Sequence, residues 1–314
     1  MRVRSLGRTD LRVSEIGFGA WAIGGGFNIA GNPIGYGAVD EQTSLAALQR
    51  AFELGINFVD TADAYGAGLS EKLIGQALKS SPRRVYVATK VGNVRRDPEP
   101  GVQNFSRQYV LDACDQSLIR LGVNRIDLYQ LHNPPMNVIQ GNEIWDALRE
   151  LRDRGKIAYY GISIGASEEG VAAIEKGGVD AIQLVYNLLE REPERTLFPL
   201  AEQRSVGIIA RVPLASGLLS GKYARGHVFA ADDHRSRSFA GEKLAAALGR
   251  ADACRFLSDG TGRTLAQSAL KFCLANSAVS IVIPGIKTPE QAEENVGAAN
   301  VPELTSEELA RIPM

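Results

Sequence analysis

Four residues that can transfer or orient a proton follow three successive apolar runs of the sequence. Asp60, Lys90 and His132 each stand at the end of a short run of apolar, β-branched residues, and Tyr65 comes five residues after Asp60. If these runs are neighbouring parallel strands, their ends open at one mouth. The sequence therefore predicts a reactive site built from Asp60, Tyr65, Lys90 and His132.

These four side chains suit the protonation of an oxygen atom. A tyrosine hydroxyl, with a pKa of about 10, is a weak acid at neutral pH, and a neighbouring ammonium favours its ionised form. A carboxylate would hold that ammonium in place, and a histidine would orient the oxygen of a substrate. Carbonyl reduction by hydride needs such a proton donor, because negative charge develops on the oxygen. No side chain donates hydride, so a nicotinamide cofactor is required.

Eight short apolar runs alternate with amphipathic stretches along the chain. The runs are residues 16–19, 56–59, 85–89, 126–131, 157–162, 181–185, 207–210 and 279–283. Helical periodicity predicts helices over residues 41–54, 107–121, 138–154, 167–176 and 264–275. Apolar strands separated by helices form a parallel sheet that helices cover. Eight such units in 314 residues predict an α/β protein, a closed (β/α)₈ TIM barrel.

Two further segments complete the predicted fold. Residues 3–4 and 12–13 flank the turn sequence GRTD and predict an N-terminal β-hairpin that plugs the bottom of the barrel. Residues 213–262, after the seventh strand, are far longer than a βα loop needs. In a barrel this connection emerges at the catalytic face, so we expect it to act as a lid or ligand clamp. No stretch resembles a linker, and we expect one domain over residues 1–314.

The overall composition narrows the possible function classes. The chain carries 35 Lys and Arg against 36 Asp and Glu, which argues against a general nucleic-acid or membrane-surface binder. No apolar run reaches the roughly 20 residues of a membrane-spanning helix, and the N-terminus lacks a signal-peptide core. Three cysteines without C-x-x-C spacing fit a reducing cytoplasm and, with three histidines, give no metal-site pattern.

Several sequence blocks resemble the aldo-keto reductase family. Residues 55–66 (GINFVDTADAYG), with Ser70-Glu71 and Ile74-Gly75 after them, are similar to the family's first signature. Residues 131–134 (LHNP) and 283–285 (IPG) match later blocks in the same order. The resemblance covers nearly the whole chain. It implies a barrel that binds NADP(H), or NAD(H), without a Rossmann domain, and a catalytic tetrad of Asp60, Tyr65, Lys90 and His132 with Tyr65 as general acid.

The resemblance also implies a set of cofactor-binding residues. Ser163 and Gln183 match positions that hold the nicotinamide carboxamide, whereas Ile164 stands where many members have an asparagine. Arg211 stands where many members stack an aromatic ring on the nicotinamide, and a planar guanidinium can stack too. Residues 214–222 resemble the loop that folds over the pyrophosphate. The remaining implied contacts are Gly19, Ala20, Trp21, Asp60, Pro213, Leu214, Ser216, Gly217, Leu218, Ser220, Lys222, Gly285, Lys287, Gln291, Glu294 and Asn295.

The residues expected near the 2′-phosphate depart from the family pattern. Many members have a lysine, a serine and an arginine there, where this chain has Gly285, Ile286 and Gln291. Lys287 is the remaining nearby cation, and Glu294 and Asn295 are the expected adenine contacts. We therefore expect NADPH to be preferred to NADH, by a smaller margin than in members with the full set.

Two alternative functions stay open. Residues 161–165 (GISIG) fit the nucleophile-elbow pattern, which would make Ser163 the nucleophile of a serine hydrolase. The only histidines downstream, His227 and His234, lie in a charged insertion. The second alternative is a nucleotide-sensing subunit with little turnover. The expected partner is a small carbonyl or alcohol substrate, without nucleic acid or membrane, and the oligomeric state is left open.

Overall fold

Eight parallel strands, each hydrogen-bonded to the next, form the centre of the molecule. The computed structural model describes residues 1–29, 32–96 and 99–313. The strands are β1 (Phe18–Gly19), β2 (Phe58–Asp60), β3 (Tyr86–Val91), β4 (Ile126–His132), β5 (Ile157–Ser163), β6 (Ala181–Val185), β7 (Gly207–Arg211) and β8 (Val279–Ile283). Parallel bridges from Ile16 to Val282 and from Gly19 to Gly285 join the first strand to the last. The predicted (β/α)₈ barrel is confirmed.

At least one helix follows each strand, and eight main helices cover the outside of the barrel. These helices are α1 (Glu41–Glu53), α2 (Leu69–Lys79), α3 (Arg107–Leu121), α4 (Glu143–Asp153), α5 (Ser167–Ala172), α6 (Leu197–Gln203), α7 (Leu265–Ala275) and α8 (Pro289–Gly297). Shorter or additional helices are Met136–Gln140, Arg235–Ser238, Glu242–Asp252 and Ser306–Arg311. Two hairpins, Phe27–Ile29 with Asn32–Ile34 and Asn93–Arg96 with Glu99–Gln103, extend from the loops after β1 and β3.

The prediction of one helix over residues 138–154 is wrong. The chain instead forms Met136–Gln140 and then α4, with extended backbone at Gly141 (φ −70°, ψ 163°) between them. The apolar periodicity continues through the break, because Ile139 and Trp145 are both buried. Trp145 Nε1 donates to the carbonyl oxygen of Ile139 at 2.8 Å, which links the two pieces.

The N-terminal hairpin closes the bottom of the barrel, as predicted. Val3–Ser5 pairs antiparallel with Arg12–Ser14. Leu6, Leu11 and Val13 are buried against the apolar side chains of the barrel interior, which excludes water from that end.

The barrel interior changes from apolar to polar toward the C-terminal ends of the strands. An apolar layer is formed by Phe58, Ala88, Leu128, Ala181 and Ile209. Because side chains alternate along a strand, the residue two positions further on points to the same interior. Those residues are Asp60, Lys90, Gln130, Gln183 and Arg211. A polar layer therefore lies directly above the apolar one, at the mouth.

The long connection after β7 is confirmed in position and contains substantial regular structure. It begins with the turn Ala215–Ser220 and continues into the helix Glu242–Asp252. Leu244 and Leu248 of that helix are buried in the outer core, so this part of the connection packs on the barrel.

We expect two mid-helix glycines to respond oppositely to alanine. A Cβ at Gly75 in α2 would lie 2.7 Å from the carbonyl oxygen of Leu121 and 2.8 Å from that of Arg120. Gly75→Ala should therefore force α2 and α3 apart and cost about 1–3 kcal/mol in the free energy of unfolding. The matched control is Gly249→Ala in Glu242–Asp252, where no described atom outside the local helix lies within 4 Å of the new Cβ. This change should raise the free energy of unfolding by at most about 1 kcal/mol, because alanine has a higher helix propensity than glycine. Urea denaturation measures both, and stabilisation by Gly75→Ala would contradict the packing.

Candidate active site

A buried ion pair lies in the polar layer at the mouth. Lys90 Nζ donates to Asp60 Oδ2 at 2.6 Å and to the carbonyl oxygen of Thr61 at 2.9 Å. The two side chains are only 1% and 4% exposed. Burial opposes the charge of Lys90, but the Asp60 carboxylate and the Tyr65 phenol outweigh it and raise the pKa of Lys90. The lysine is therefore an ammonium at neutral pH.

The same ammonium contacts the tyrosine. Lys90 Nζ donates to Tyr65 Oη at 3.1 Å and lies 4.9 Å from the centre of the tyrosine ring. The ring of His132 meets that of Tyr65 edge-on, with centroids 5.8 Å apart. The four side chains that were expected to converge therefore form one contact network.

Close packing between two loops fixes the backbone that carries Tyr65. Tyr65 opens the turn Tyr65–Gly68 after β2, in which Gly66 has a φ of 60°, a region that favours glycine. A Cβ on Gly66 would lie 2.0 Å from the carbonyl oxygen of Gly24 in the loop after β1. The two loops are thus in direct backbone contact, which limits movement of the tyrosine.

Two glutamines hold the other side of Asp60. Asp60 Oδ1 accepts from Gln183 Nε2 at 2.7 Å and from Gln130 Nε2 at 3.0 Å, and Gln183 Nε2 also donates to Gln130 Oε1 at 3.3 Å. With the bond from Lys90, the carboxylate accepts three hydrogen bonds, and its orientation is fixed. Gln130 was not predicted. The sequence feature that could have indicated it is a polar residue two positions before His132, on the interior face of an apolar strand.

Ser163 and Gln183 leave acceptor groups for a ligand. Ser163 Oγ donates to Asn133 Oδ1 at 3.1 Å. Gln183 donates through its amide nitrogen to Asp60 and Gln130, so its side-chain carbonyl oxygen remains available as an acceptor. A hydroxyl oxygen and an amide oxygen suit the NH₂ of a carboxamide. Asn133, with a φ of 51°, belongs to the LHNP block but was not among the predicted site residues.

The serine-hydrolase alternative has no catalytic triad in this geometry. The Ser163 hydroxyl donates to an amide oxygen rather than to a histidine. His227 packs against Tyr223 and Phe229, at centroid distances of 4.7 Å to each. His234 hydrogen-bonds the carbonyl oxygen of Gly35 through Nδ1 at 2.8 Å. Neither downstream histidine serves as a base for the serine.

Arg211 lies at the end of β7 with its guanidinium enclosed. Its Nη2 donates to the carbonyl oxygen of Ile164 at 3.1 Å. Its buried Nε has no hydrogen-bond partner among the described residues. Burial lowers the pKa of Arg211, and the nearby Tyr65 and Asp60 oppose that shift. A buried N–H without a partner is costly, and it suits a ligand oxygen at this position.

The segment expected over a pyrophosphate has an unusual backbone. Ala215, Ser216 and Gly217 are left-handed in succession, with φ values of 47°, 55° and 93°. Left-handed conformations of residues other than glycine are costly and cluster at ligand-binding sites. Ser220 Oγ donates to the carbonyl oxygen of Gly217 at 2.6 Å and stabilises the turn. Lys222 follows this turn and is exposed, whereas Leu218 is buried.

The long connection and the loop after β1 meet across the mouth. Tyr36 forms an antiparallel bridge with Asp233, and the backbone nitrogen of His234 donates to the carbonyl oxygen of Gly35 at 3.0 Å. Arg235 forms an ion pair with Asp233 at 2.6 Å and donates to the carbonyl oxygen of Ser216 at 3.2 Å. This set of contacts, which we call the clasp, ties the turn Ala215–Ser220 to the loop after β1.

Trp21 and Lys287 join the clasp from the barrel. The rings of Trp21, Tyr36 and His234 pack together with centroids 4.8 to 5.1 Å apart. Lys287 Nζ donates to the carbonyl oxygen of Tyr36 at 2.7 Å. Burial lowers the pKa of Lys287, and the charge of Asp233 opposes that effect. The lysine thus supports the loop after β1, in addition to any contact with a ligand.

The remaining predicted cofactor residues lie where β1 meets the chain after β8, on α8, and directly after β7. Gly19 pairs with Gly285, and Ala20 follows as a fully buried residue. Gln291 Oε1 accepts from the backbone nitrogen of Lys287 at 2.7 Å, and Glu294 Oε1 accepts from Thr264 Oγ1 at 2.6 Å. Asn295 and Pro213 are also buried, and Leu214 is partly exposed three residues after Arg211.

The described residues contain neither a membrane-spanning helix nor a metal-binding cluster. No helix there is both long and apolar enough to cross a bilayer. No three His, Cys, Asp or Glu side chains in the same ranges are grouped to hold a metal ion.

Comparison with known proteins places this geometry in a family. The model of the Aldo/keto reductase family matches residues 15–313. The NADH-specific methylglyoxal reductase of Escherichia coli is 31% identical over 96% of this chain and 94% of its own length. A probable voltage-gated potassium channel subunit beta of Arabidopsis thaliana is 30% identical over 99% of this chain and 95% of its own length.

A solved structure agrees in fold. The holo form of aldo-keto reductase AKR11C1 from Bacillus halodurans has a TM-score of 0.82 and 32% identity, covering 99% of this chain and 95% of that one. Aldo-keto reductases use NAD(P)H. The family match, the eight-stranded barrel and the shared sequence agree over nearly the full length, and the chain belongs to the aldo-keto reductase family.

Proposed function

We propose that this oxidoreductase uses NADP(H) to reduce aldehydes and ketones to alcohols, with Tyr65 as the general acid. One observation carries the proposal: a buried ammonium, Lys90, donates to both the Asp60 carboxylate and the Tyr65 hydroxyl. An ammonium beside a phenol stabilises the negative charge that the phenol acquires when it gives up its proton. Proton donation from Tyr65 to a carbonyl oxygen is the step this arrangement favours.

The residues divide the work of that step. A nicotinamide cofactor, when bound, supplies the hydride. Tyr65 Oη gives its proton to the substrate oxygen, and Lys90 stabilises the phenolate that remains. His132 orients the substrate oxygen beside Tyr65, whose ring it contacts. Asp60 holds Lys90 in place. The position of the Asp60 carboxylate is in turn fixed by the hydrogen bonds that it accepts from both glutamines.

The same proposal assigns residues to the cofactor. Ser163 and Gln183 would accept from the carboxamide NH₂, and the turn Ala215–Ser220 would cover the pyrophosphate. Lys287 would contact a 2′-phosphate. NADPH is the proposed choice, although one similar protein is an NADH-specific reductase.

We propose a small carbonyl or alcohol compound as the substrate and the cytoplasm as the compartment. Cys114, Cys254 and Cys273 are all free and buried, which fits a reducing environment. We also propose that residues 1–314 form one domain, since the hairpin and the helix Glu242–Asp252 both pack on the same barrel.

A nucleotide-sensing subunit is the second candidate, because one similar protein is a probable channel subunit. The contact network of Lys90, Asp60 and Tyr65 favours catalysis instead. Fluorescence titration with NADPH and NADH, followed by turnover on a panel of small aldehydes, separates the two functions. Tight nucleotide binding with negligible turnover across the panel would favour the sensor.

Substitution of Tyr65 tests the proposed general acid. Tyr65→Phe should bind cofactor normally and lose carbonyl reduction by about 10²–10⁴-fold in kcat, since it removes the proton donor alone. Tyr159→Phe is the matched control. Tyr159 lies at the opposite end of the barrel and donates to Asp10 Oδ1 at 3.0 Å, so this variant should keep its turnover. Near-normal kcat in Tyr65→Phe would exclude Tyr65 as the acid.

The next prediction concerns Lys287. Lys287→Ala should weaken NADPH binding by about 1–3 kcal/mol more than NADH binding, because only NADPH carries the phosphate that the ammonium would contact. Lys287→Arg should retain most of the difference between the two cofactors. Parallel fluorescence titrations measure both. Equal weakening of NADPH and NADH would assign Lys287 to its bond with the carbonyl oxygen of Tyr36 instead.

A further inference from the structure

The polar layer at the mouth contains a charge that lacks a direct ionic partner. Lys90 is paired with Asp60, whereas the hydrogen bond of Arg211 goes to the neutral carbonyl oxygen of Ile164. Among the described residues no carboxylate lies within ion-pair distance of Arg211; Asp60 and the exposed Glu190 act on it only through space. The layer therefore holds two cations and one anion, with the excess charge on Arg211.

The residues proposed to hold the carboxamide offer only hydrogen-bond acceptors, and Arg211 can supply the missing donor. A carboxamide has an NH₂ to donate and an oxygen to accept. The two residues proposed to hold it, Ser163 and Gln183, already donate to Asn133, Asp60 and Gln130 and therefore offer oxygens. Ile164 carries no polar side-chain atom. Arg211 Nε, buried and without a partner in the described part of the chain, is an available donor.

The direction of the Arg211 side chain places this donor in the polar layer at the mouth. Gln183 pairs with Ile209, and both side chains face the barrel interior. Arg211 is two residues beyond Ile209 on the same strand, so its side chain points to the same interior, closer to the mouth. Its bond to the carbonyl oxygen of Ile164 holds the guanidinium next to Ser163, the preceding residue.

We propose that Arg211 donates its free Nε–H to the carboxamide oxygen of the nicotinamide, and that its charge makes the site bind reduced cofactor in preference to oxidised cofactor. This inference rests on the proposed function of Ser163 and Gln183. The oxidised ring is cationic and the reduced ring is neutral, so only the oxidised ring is repelled by the guanidinium. In a buried site such repulsion corresponds to about a tenfold change in affinity.

The test uses three variants that separate charge from hydrogen bonding. Arg211→Lys keeps the charge, Arg211→Gln keeps an N–H donor without charge, and Arg211→Met removes both. The dissociation constants of NADPH and NADP⁺ are measured for each by fluorescence titration and calorimetry, with circular dichroism to verify the fold. Wild-type protein should bind NADPH more tightly than NADP⁺. That preference should fall about tenfold in Arg211→Gln and Arg211→Met and persist in Arg211→Lys.

A double variant tests the donor separately. Arg211→Met should weaken both redox forms, and adding Ile164→Asn should recover affinity for both by restoring a neutral donor. It should not restore the preference for NADPH. If Arg211→Met fails to fold, the comparison of Arg211→Lys with Arg211→Gln still measures the effect of charge.

Three results would overturn the inference. One is an unchanged ratio of the two dissociation constants in both neutral variants. Another is a change confined to the KM of carboxylate-bearing carbonyl substrates, which would place Arg211 against the substrate. Absence of nucleotide binding by the wild-type protein would overturn the proposed function itself, and this outcome is distinct from the other two.

Discussion

The buried ion pair between Lys90 and Asp60 is the interaction on which the rest of the site depends. Removing an ammonium from water costs several kcal/mol unless a partner and hydrogen bonds replace the lost hydration. Here Asp60, the carbonyl oxygen of Thr61 and Tyr65 Oη all accept from Lys90 Nζ. The apolar layer below excludes water, and Gln130 and Gln183 fix the carboxylate from the other side. Residues on strands β2, β3, β4 and β6 thus converge on a single charge, whose position follows from barrel closure.

The loops around this pair control what can approach it. Contact between Gly24 and Gly66 holds the turn that carries Tyr65, so the phenol is placed by backbone packing as well as by its hydrogen bond. On the opposite side, the clasp joins the long connection to the loop after β1, and Lys287 supports the same loop. Asp60, Lys90 and His132 therefore lie at strand ends and Tyr65 lies in a packed turn, while the segments expected to cover a cofactor are held by the clasp.

Periodicity in the sequence predicted the barrel because its strands are apolar on both faces, and polar residues at three strand ends predicted the tetrad. Gln130 was not predicted because a single amide within an apolar run forms no recognisable site pattern. Its role becomes clear only when its cross-strand neighbours are known. The break at Gly141 was missed because Ile139 and Trp145 keep the apolar pattern on both sides of it. The bond from Lys287 to Tyr36 joins residues 251 positions apart, and no local pattern encodes such a contact.

A double-mutant cycle on the ion pair tests the central claim most directly. It compares kcat for aldehyde reduction in Lys90→Met, Asp60→Asn and the double variant, each at saturating cofactor. If Lys90 stabilises the phenolate and Asp60 acts through it, Lys90→Met should be the more damaging single change. The double variant should then be scarcely slower than Lys90→Met alone, because Asp60 has no lysine left to hold. A larger loss in Asp60→Asn than in Lys90→Met, or fully additive losses, would contradict this account.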